Sequence, residues 1–445
     1  MDVMVSTWVS FTSLYSAVLM LLMGVGLLGT LISLQLTLEG YPAQITGLIM
    51  SAYYAGAVLG SLTCHRLIQK VGHIRAFAAF AAIATAAIMA HGVHISPATW
   101  AGLRLVTGVS ATGLYMVIES WLSECTVREA RGRVFSIYMV LTYAGVGIGQ
   151  LLLNLGEAGS SQLFFLTGAL VSLCLVPVVT THSVHPELPE PRHFDVVALF
   201  RRAPLGMLGC LTAGLMSSAF YALGPVFGSQ IGLSVPEVSV FMATTILGGL
   251  LFQWPVGSLS DRFDRTLVLA VMTALIAAVG LAAAIAVHAS FSALLGVAWV
   301  FGGMAFTVYP VSVARTHDLF EPQEVVAVSS VLLLCFGIGA TAGPILASTA
   351  MAVSGRPEGF FLYFTAVSGL YAALAFYCRR QKKVEIVPVE DQVAFMPMKG
   401  TSPVTMGMDP RSEEESPAAE PVPTPDPRAE AGDTLVEVEQ WKETA

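Results

Sequence analysis

Twelve apolar runs, each close to the length of a membrane span and separated by short polar breaks, occupy the first 380 positions of this chain. They lie at roughly 11–37, 44–64, 76–94, 99–122, 134–155, 162–181, 205–228, 237–257, 267–288, 291–313, 325–347 and 359–378. An α-helix needs about 20 apolar residues to cross the hydrocarbon core of a bilayer. The pattern therefore predicts an all-α membrane protein with twelve transmembrane helices. The first residues, MDVMVSTW, lack a basic region and the first Lys or Arg is Arg66. No cleavable signal peptide is expected there, and the first run should stay as a membrane anchor.

The polar breaks differ in charge. Lys and Arg collect in alternate ones: Arg66, Lys70 and Arg75; Arg128, Arg131 and Arg133; Arg192, Arg201 and Arg202; Arg262 and Arg265; and Arg315. With the eight that follow residue 378, twenty of the 22 basic residues fall on one side, and only Arg104 and Arg356 lie elsewhere. Short basic loops stay in the cytoplasm. These loops and both termini are therefore expected to be cytoplasmic.

The break between the sixth and seventh runs is polar and Pro-rich, which suggests a cytoplasmic linker over 182–204 joining two six-helix halves, 1–181 and 205–378. The halves repeat each other. His65-Arg66-x-x-Gln69-Lys70-x-Gly72-His73 precedes Gly257-x-x-x-Asp261-Arg262-x-Asp264-Arg265 by 192 positions, and Gly145-x-x-x-Gly149 precedes Gly339-x-x-x-Gly343 by 194. A near-constant offset between features of matching spans indicates duplication, one known plan for transporters. After Cys378 the composition turns polar, Pro-rich and Glu-rich, so 379–445 is expected to be a disordered acidic tail opening on a basic juxtamembrane cluster, Arg379 to Lys383.

Composition fits this picture. Hydrophobic residues make up 55%, charged residues 12%, and mean hydropathy is +0.72; soluble domains carry about 25% charged residues. The net charge of −8 resides mostly in the tail, which contributes −6, so it says nothing about the charge of a substrate. Six scattered cysteines without a CxxC pair argue against a disulfide framework. The scarcity of lysine, five against seventeen arginines, suggests a GC-rich bacterial genome.

Several motif matches carry no chemistry. Gly24-x-Gly26-x-x-Gly29 fits a dinucleotide-binding pattern but lies inside a span with no preceding strand, so small-residue helix packing explains it better, as it explains Gly56-x-x-x-Gly60. His91 and His94 in an outer loop, and His182, His185 and His193 near Glu187 and Glu190, read as solvated residues rather than metal ligands. No nucleophile–base constellation or phosphate loop is present. An enzyme or ATP-driven pump is therefore not expected, and neither is a cofactor, a metal or a nucleic-acid partner.

Twelve spans, two related halves and a charged motif in the second and eighth breaks together resemble the major facilitator superfamily. Its loop motif, Gly-x-x-x-Asp-Arg/Lys-x-Gly-Arg-Arg/Lys, is matched in the second copy by Gly257, Asp261, Arg262 and Arg265. The first copy keeps Lys70, Gly72 and Arg75 but has His65 and Gln69 for the Gly and Asp. Leu114–Ser120 (LYMVIES), Arg131–Arg133 (RGR), Gln253–Phe263 (QWPVGSLSDRF) and Thr307–Val311 (TVYPV) are similar to the YcaD-like branch of bacterial facilitators. The resemblance implies two pseudo-symmetric six-helix bundles, with the first, fourth, seventh and tenth helices lining a central cavity. It also implies a gating role for the loop residues, Arg131 and Arg133 included. Asp261 is expected to meet a neighbouring helix N-terminus, that of the fifth helix, across the half-interface.

An ionisable side chain in mid-bilayer costs about 2.5–3.5 kcal/mol on insertion scales, so its retention points to function. Glu119 is the only acidic residue well inside any run. Arg104, Gly108, Ala111, Tyr115 and Glu119 fall within about 80° on a helix, a polar track about 22 Å long. One reading makes Glu119 the proton or substrate group, with Arg104 biasing it or binding substrate anions. The other makes Glu119 a gate latch to Arg66, Arg75 or Arg133, with Arg104 snorkelling to the outer headgroups. Gln35, Tyr221, Trp299 and Tyr309 are further cavity candidates, each with a packing alternative.

Arg104-x-x-x-Gly108 also resembles the superfamily's helix-4 motif for proton-coupled antiport, whereas the Gly-Pro of its antiporter signature is Gly149-Gln150 here. The expected function is therefore secondary transport of a small organic molecule, amphipathic or hydrophobic, across a bacterial inner membrane. Proton-coupled efflux is the preferred mode, with protons and the bilayer as partners and no oligomer required. Uptake by symport or uniport is the alternative. A transporter-derived receptor or scaffold acting through its tail is a second one.

Overall fold

The computed structural model describes residues 2–93, 95–124, 126, 130–179, 195–287, 289–381 and 385–404, with side chains from Thr12 onward and that of residue 124 excepted. Among the described residues, twelve helices are long and apolar enough to cross a membrane. In chain order they are α1 (Thr12–Leu38), α2 (Ala43–Val71), α3 (His73–His91), α4 (Pro97–Ser123), α5 (Arg131–Leu155) and α6 (Gln162–Val179). The second set comprises α7 (Pro204–Gln230), α8 (Val235–Ser260), α9 (Arg265–Ala286), α10 (Phe291–His317), α11 (Pro322–Ser354) and α12 (Gly359–Arg380). No strand occurs among the described residues. In lipid every backbone N–H and C=O must find a partner within the protein, and a helix meets that demand within one segment.

Local signals set the helix ends. Gly72, at φ +83°, is the single residue between α2 and α3, a left-handed turn that favours glycine. The first motif copy therefore lies mostly on the last turns of α2, which runs seven residues beyond its apolar run, rather than in a loop. Glu237 accepts from the Ser234 N–H (2.8 Å) and hydroxyl (2.6 Å) to start α8. Asp264 caps α9 by accepting from the Thr266 N–H at 2.8 Å. The cap accounts for an aspartate where the family motif has glycine. Part of the linker, Val196–Arg202, forms a short helix capped by Asp195; His94, His182, His185 and His193 lie outside the described residues.

The chain folds as two six-helix bundles related by the sequence repeat. In the first, α1 packs on α5, α2 on α4 and α3 on α6; in the second, α7 packs on α11, α8 on α10 and α9 on α12. Close backbone approaches repeat too. A Cβ on Gly56 of α2 would stand 2.1 Å from the Leu105 carbonyl oxygen, and one on Gly248 of α8 would stand 2.1 Å from that of Trp299. Likewise Gly149 abuts the Met23 carbonyl and Gly343 that of Leu215, each at 2.4 Å from an added Cβ. Lipid tails are as apolar as leucine, so helices associate through such close backbone packing.

Between the halves, α2 packs on α11, α5 on α8 and α1 on α7. Ser33 of α1 donates to the Ala222 carbonyl at 2.7 Å, and Ser239 of α8 donates to that of Gln150 at 2.8 Å. Both bonds lie toward the end opposite the arginine-rich loops. At the arginine-rich, or basic, end the halves are joined through residues 385–404. This stretch, expected to be disordered, packs into the protein through its apolar side chains Val387, Phe395, Met396 and Met398.

Two outcomes follow. Alanine at Gly56 or Gly248 should each destabilise the fold by about 1–3 kcal/mol through overpacking, seen as a lower thermal midpoint in detergent. Gly102→Ala, with nothing within 4 Å of its added Cβ, should leave it unchanged. Single cysteines replacing the exposed Arg262 and Arg356 should react with an impermeant reagent from opposite sides of the membrane; labelling from one side would overturn the twelve-span topology.

Candidate functional site

Between the two bundles lies a cavity of about 170 Å³. Its walls come from α1, α2, α4, α5, α7, α10 and α11, and residues 398–401 line it as well. The lining thus extends beyond the four helices that the resemblance implied, because α2, α5 and α11 form the seam between the halves.

Arg104 and Tyr115 of α4 both face this cavity. Arg104 is only 4% exposed, its guanidinium carbon sits 4.4 Å from the Tyr53 ring centroid, and its Nε has no hydrogen-bond partner among the described residues. It does not snorkel to the outer surface. Its alkyl stem enters from α4 and its charge is held over an aromatic face.

Glu119, further along α4 toward the basic end, is fully buried. It accepts from the Tyr138 hydroxyl of α5 at 2.6 Å, from the Thr401 hydroxyl at 2.5 Å and, through its other oxygen, from the Ser402 hydroxyl. Arg66, Arg75 and Arg133, the residues of the latch reading, are all exposed.

The aromatic candidates divide. Tyr221 and Tyr309 line the cavity, and neither hydroxyl has a partner among the described residues. Tyr221 stacks on Phe306 (5.4 Å between centroids) and Tyr309 meets Phe336 edge-on (5.0 Å). Trp299 packs edge-on against Phe252 at 5.0 Å and does not line the cavity. Gln35 donates to the Gly159 carbonyl at 3.4 Å, away from the cavity wall. Both take the packing role. His91 is likewise not a solvated loop residue: it ends α3, buried, with Nδ1 2.7 Å from the Ala87 carbonyl oxygen.

The charged motif works differently in its two copies. In the first, Lys70 and Arg75 are exposed at the α2–α3 turn beside Gly72; Arg131 and Arg133 begin α5, Arg133 exposed. In the second, Arg262 is exposed but the Arg265 side chain is completely buried. Arg265 donates to Ser260 (3.1 Å), Asp261 (2.7 Å), the Ala314 carbonyl (3.3 Å), Asp318 and the Val393 carbonyl. Asp261, besides Arg265, accepts from the Phe395 N–H at 2.9 Å rather than capping α5. Gly257 makes room for the Phe395 ring, which a Cβ there would meet at 2.3 Å.

Sequence reasoning missed Tyr143, Tyr138, Tyr53 and the segment around Lys399. The Lys399 ammonium lies 5.5 Å from the Tyr143 ring centroid and 5.4 Å from that of Tyr221. Removal from bulk water lowers its pKa to about 8, which leaves it charged at neutral pH. The available signal was one of only five lysines, set in an apolar stretch (FMPMKG) of an otherwise acidic tail. Among the described residues no cluster of three or more His, Cys, Asp or Glu side chains is arranged to hold a metal.

The Major Facilitator Superfamily matches this chain over residues 14–243 and 206–424. The chain belongs to that family. Family members with related sequences include the MFS-type transporter YcaD of Escherichia fergusonii, 28% identical over 361 residues, covering 80% of this chain and 93% of that one. Another, from Enterobacter sp. (strain 638), is 30% identical over 362 residues, with the same coverage. Neither is named for a substrate. Among solved structures, the nucleoside transporter NupG superposes with a TM-score of 0.70 at 15% identity, over 84% of this chain and all of that one. A bacterial homologue of the human lysosomal transporter Spinster, inward-facing and occupied, gives 0.66 at 14% identity, over 86% and 97%. These likenesses show the fold of a multi-pass membrane transporter.

Arg265→Ala should remove the charge that compensates the buried Asp318, costing about 3–5 kcal/mol of stability, read as a lowered thermal midpoint. Arg265→Lys should recover only part, since an ammonium lacks the planar fork that serves several acceptors at once.

Proposed function

We propose that this facilitator exports a small amphipathic organic molecule across the bacterial inner membrane by alternating access, in exchange for protons. The observation that carries the reading is Glu119, a fully buried carboxylate at the basic end of the inter-half cavity, held by hydroxyl donors from α5 and the tail. A buried carboxylate in a low-dielectric site is costly unless paired or neutralised, and taking up a proton removes the charge. Proton binding at Glu119 would therefore bias which end of the cavity closes, giving proton and substrate a shared equilibrium.

Arg104, some 22 Å along the same helix by rise, supplies a second buried charge facing the cavity, suited to a polar or anionic end of the substrate. The aromatic and aliphatic lining from Tyr53, Tyr54, Tyr115, Phe306 and Leu333 suits its apolar body. A nucleoside transporter among proteins of the same fold is consistent with a small organic cargo. In this reading the basic end faces the cytoplasm, as the loop arginines indicate.

Proteoliposomes with an imposed pH gradient test the proposal. In a screen of amphipathic compounds, the wild-type chain should move at least one against the proton gradient. Glu119→Gln should reduce that movement at least about tenfold, a loss of about 1.4 kcal/mol in driving the step, while retaining gradient-independent substrate exchange. Full pH-driven transport by the mutant would remove Glu119 as the proton site.

A further inference from the structure

We propose that Tyr143 and Tyr221 form an ammonium-binding subsite for amphipathic amines, and that the chain's own tail occupies it through Lys399 as a tethered competitor. The inference rests on the transport reading only for the identity of the cavity.

The tail reaches the subsite along a built path. On the second bundle, the Val393 N–H donates to Asp318 at 3.0 Å, the Val393 carbonyl accepts from Arg265, and the Phe395 N–H donates to Asp261 at 2.9 Å. The Phe395 ring fills the space that Gly257 leaves. Beyond this clasp Met398 is buried, 1% exposed. Gly400 passes so close to the α11 side chains that a Cβ would meet Phe336 at 3.0 Å and Leu333 at 3.1 Å. On the first bundle, Thr401 and Ser402 take Glu119. The segment thus engages both halves and, between them, places its only cation within cation–π range of one ring from each.

What the segment presents is an ammonium flanked by apolar side chains. A molecule with those features would meet the same two rings. Binding through the tail need not be strong. A short tether gives an effective concentration in the millimolar range, so a segment with an intrinsic dissociation constant of about 0.1 mM would be docked about nine-tenths of the time. A segment fastened to both bundles also opposes their relative rocking, the motion that alternating access requires.

The test uses Ser217→Cys, in the cavity wall, in a full-length protein whose six native cysteines are replaced. The protein is held in lipid nanodiscs and labelled with an impermeant methanethiosulfonate. The full chain should label slowly, and a chain ending at residue 384 about tenfold faster, the inverse of the undocked fraction. Lys399→Met in the full chain keeps the clasp and should also label several-fold faster, which guards against misfolding of the truncated chain. In the chain ending at 384, tetrapentylammonium should restore protection saturably, and Tyr143→Leu or Tyr221→Leu should weaken that protection on the order of tenfold.

Equal labelling of the full chain, the truncated chain and Lys399→Met would overturn the tethered competitor. Protection by tetrapentylammonium that is indifferent to both tyrosine substitutions would overturn the subsite. No readout here uses transport. The expected labelling without any pH-driven transport would therefore refute the transport reading alone, and pH-driven transport with equal labelling would refute this proposal alone.

Discussion

Helices in a bilayer gain nothing by hiding apolar side chains from lipid, so the protein depends on how closely its helix backbones approach. Four glycines show the device in duplicate: Gly56 and Gly248 against the carbonyls of α4 and α10, Gly149 and Gly343 against those of α1 and α7. A methyl group at any of them would collide with a backbone carbonyl oxygen, which cannot move aside, and at Gly343 with the Ser218 hydroxyl as well. These contacts tie each bundle into a unit. They leave the space between the bundles as the place where packing is incomplete, and the cavity lies there.

The buried charges follow from that arrangement, each compensated by a different means. Arg265, at the start of α9, is enclosed by acceptors from α8, the turn that follows it, α10 with the residue just beyond its end, and the tail, so it acts as a structural clasp. Glu119 accepts from hydroxyl donors, two of them on a segment tethered by its own chain. Arg104, in the cavity wall, relies on the face of Tyr53, and its Nε has no hydrogen-bond partner among the described residues. A charge enclosed by fixed partners stabilises one conformation. A charge whose partners can leave, or are missing, can respond to a proton or a ligand.

Asp261 illustrates how one residue serves two of these arrangements. It completes the Arg265 clasp and accepts from the Phe395 backbone, while Asp264, three positions on, caps α9 and pairs with Arg379 at 2.8 Å. The dense charge of this short hairpin is thereby spent on holding helix ends and the tail, with Arg262 left at the surface.

Much of the architecture is legible along the chain. Apolar run length specifies the twelve helices, because bilayer thickness imposes one length on every span. The near-constant offset specifies two related bundles, and helical periodicity puts Arg104, Tyr115 and Glu119 on one stripe. What periodicity does not contain is which stripe faces which. Trp299 and Gln35 carry the same polar signal as Tyr221 and Tyr309, yet the first two pack elsewhere. The contact of Glu119 with Thr401 joins residues 282 positions apart. Composition marked the tail as acidic and solvated, an average that conceals its short apolar stretch. Local sequence therefore determined the elements and their count. Only the tertiary structure decided which side chains share the cavity, because that depends on the packing of helices distant in sequence.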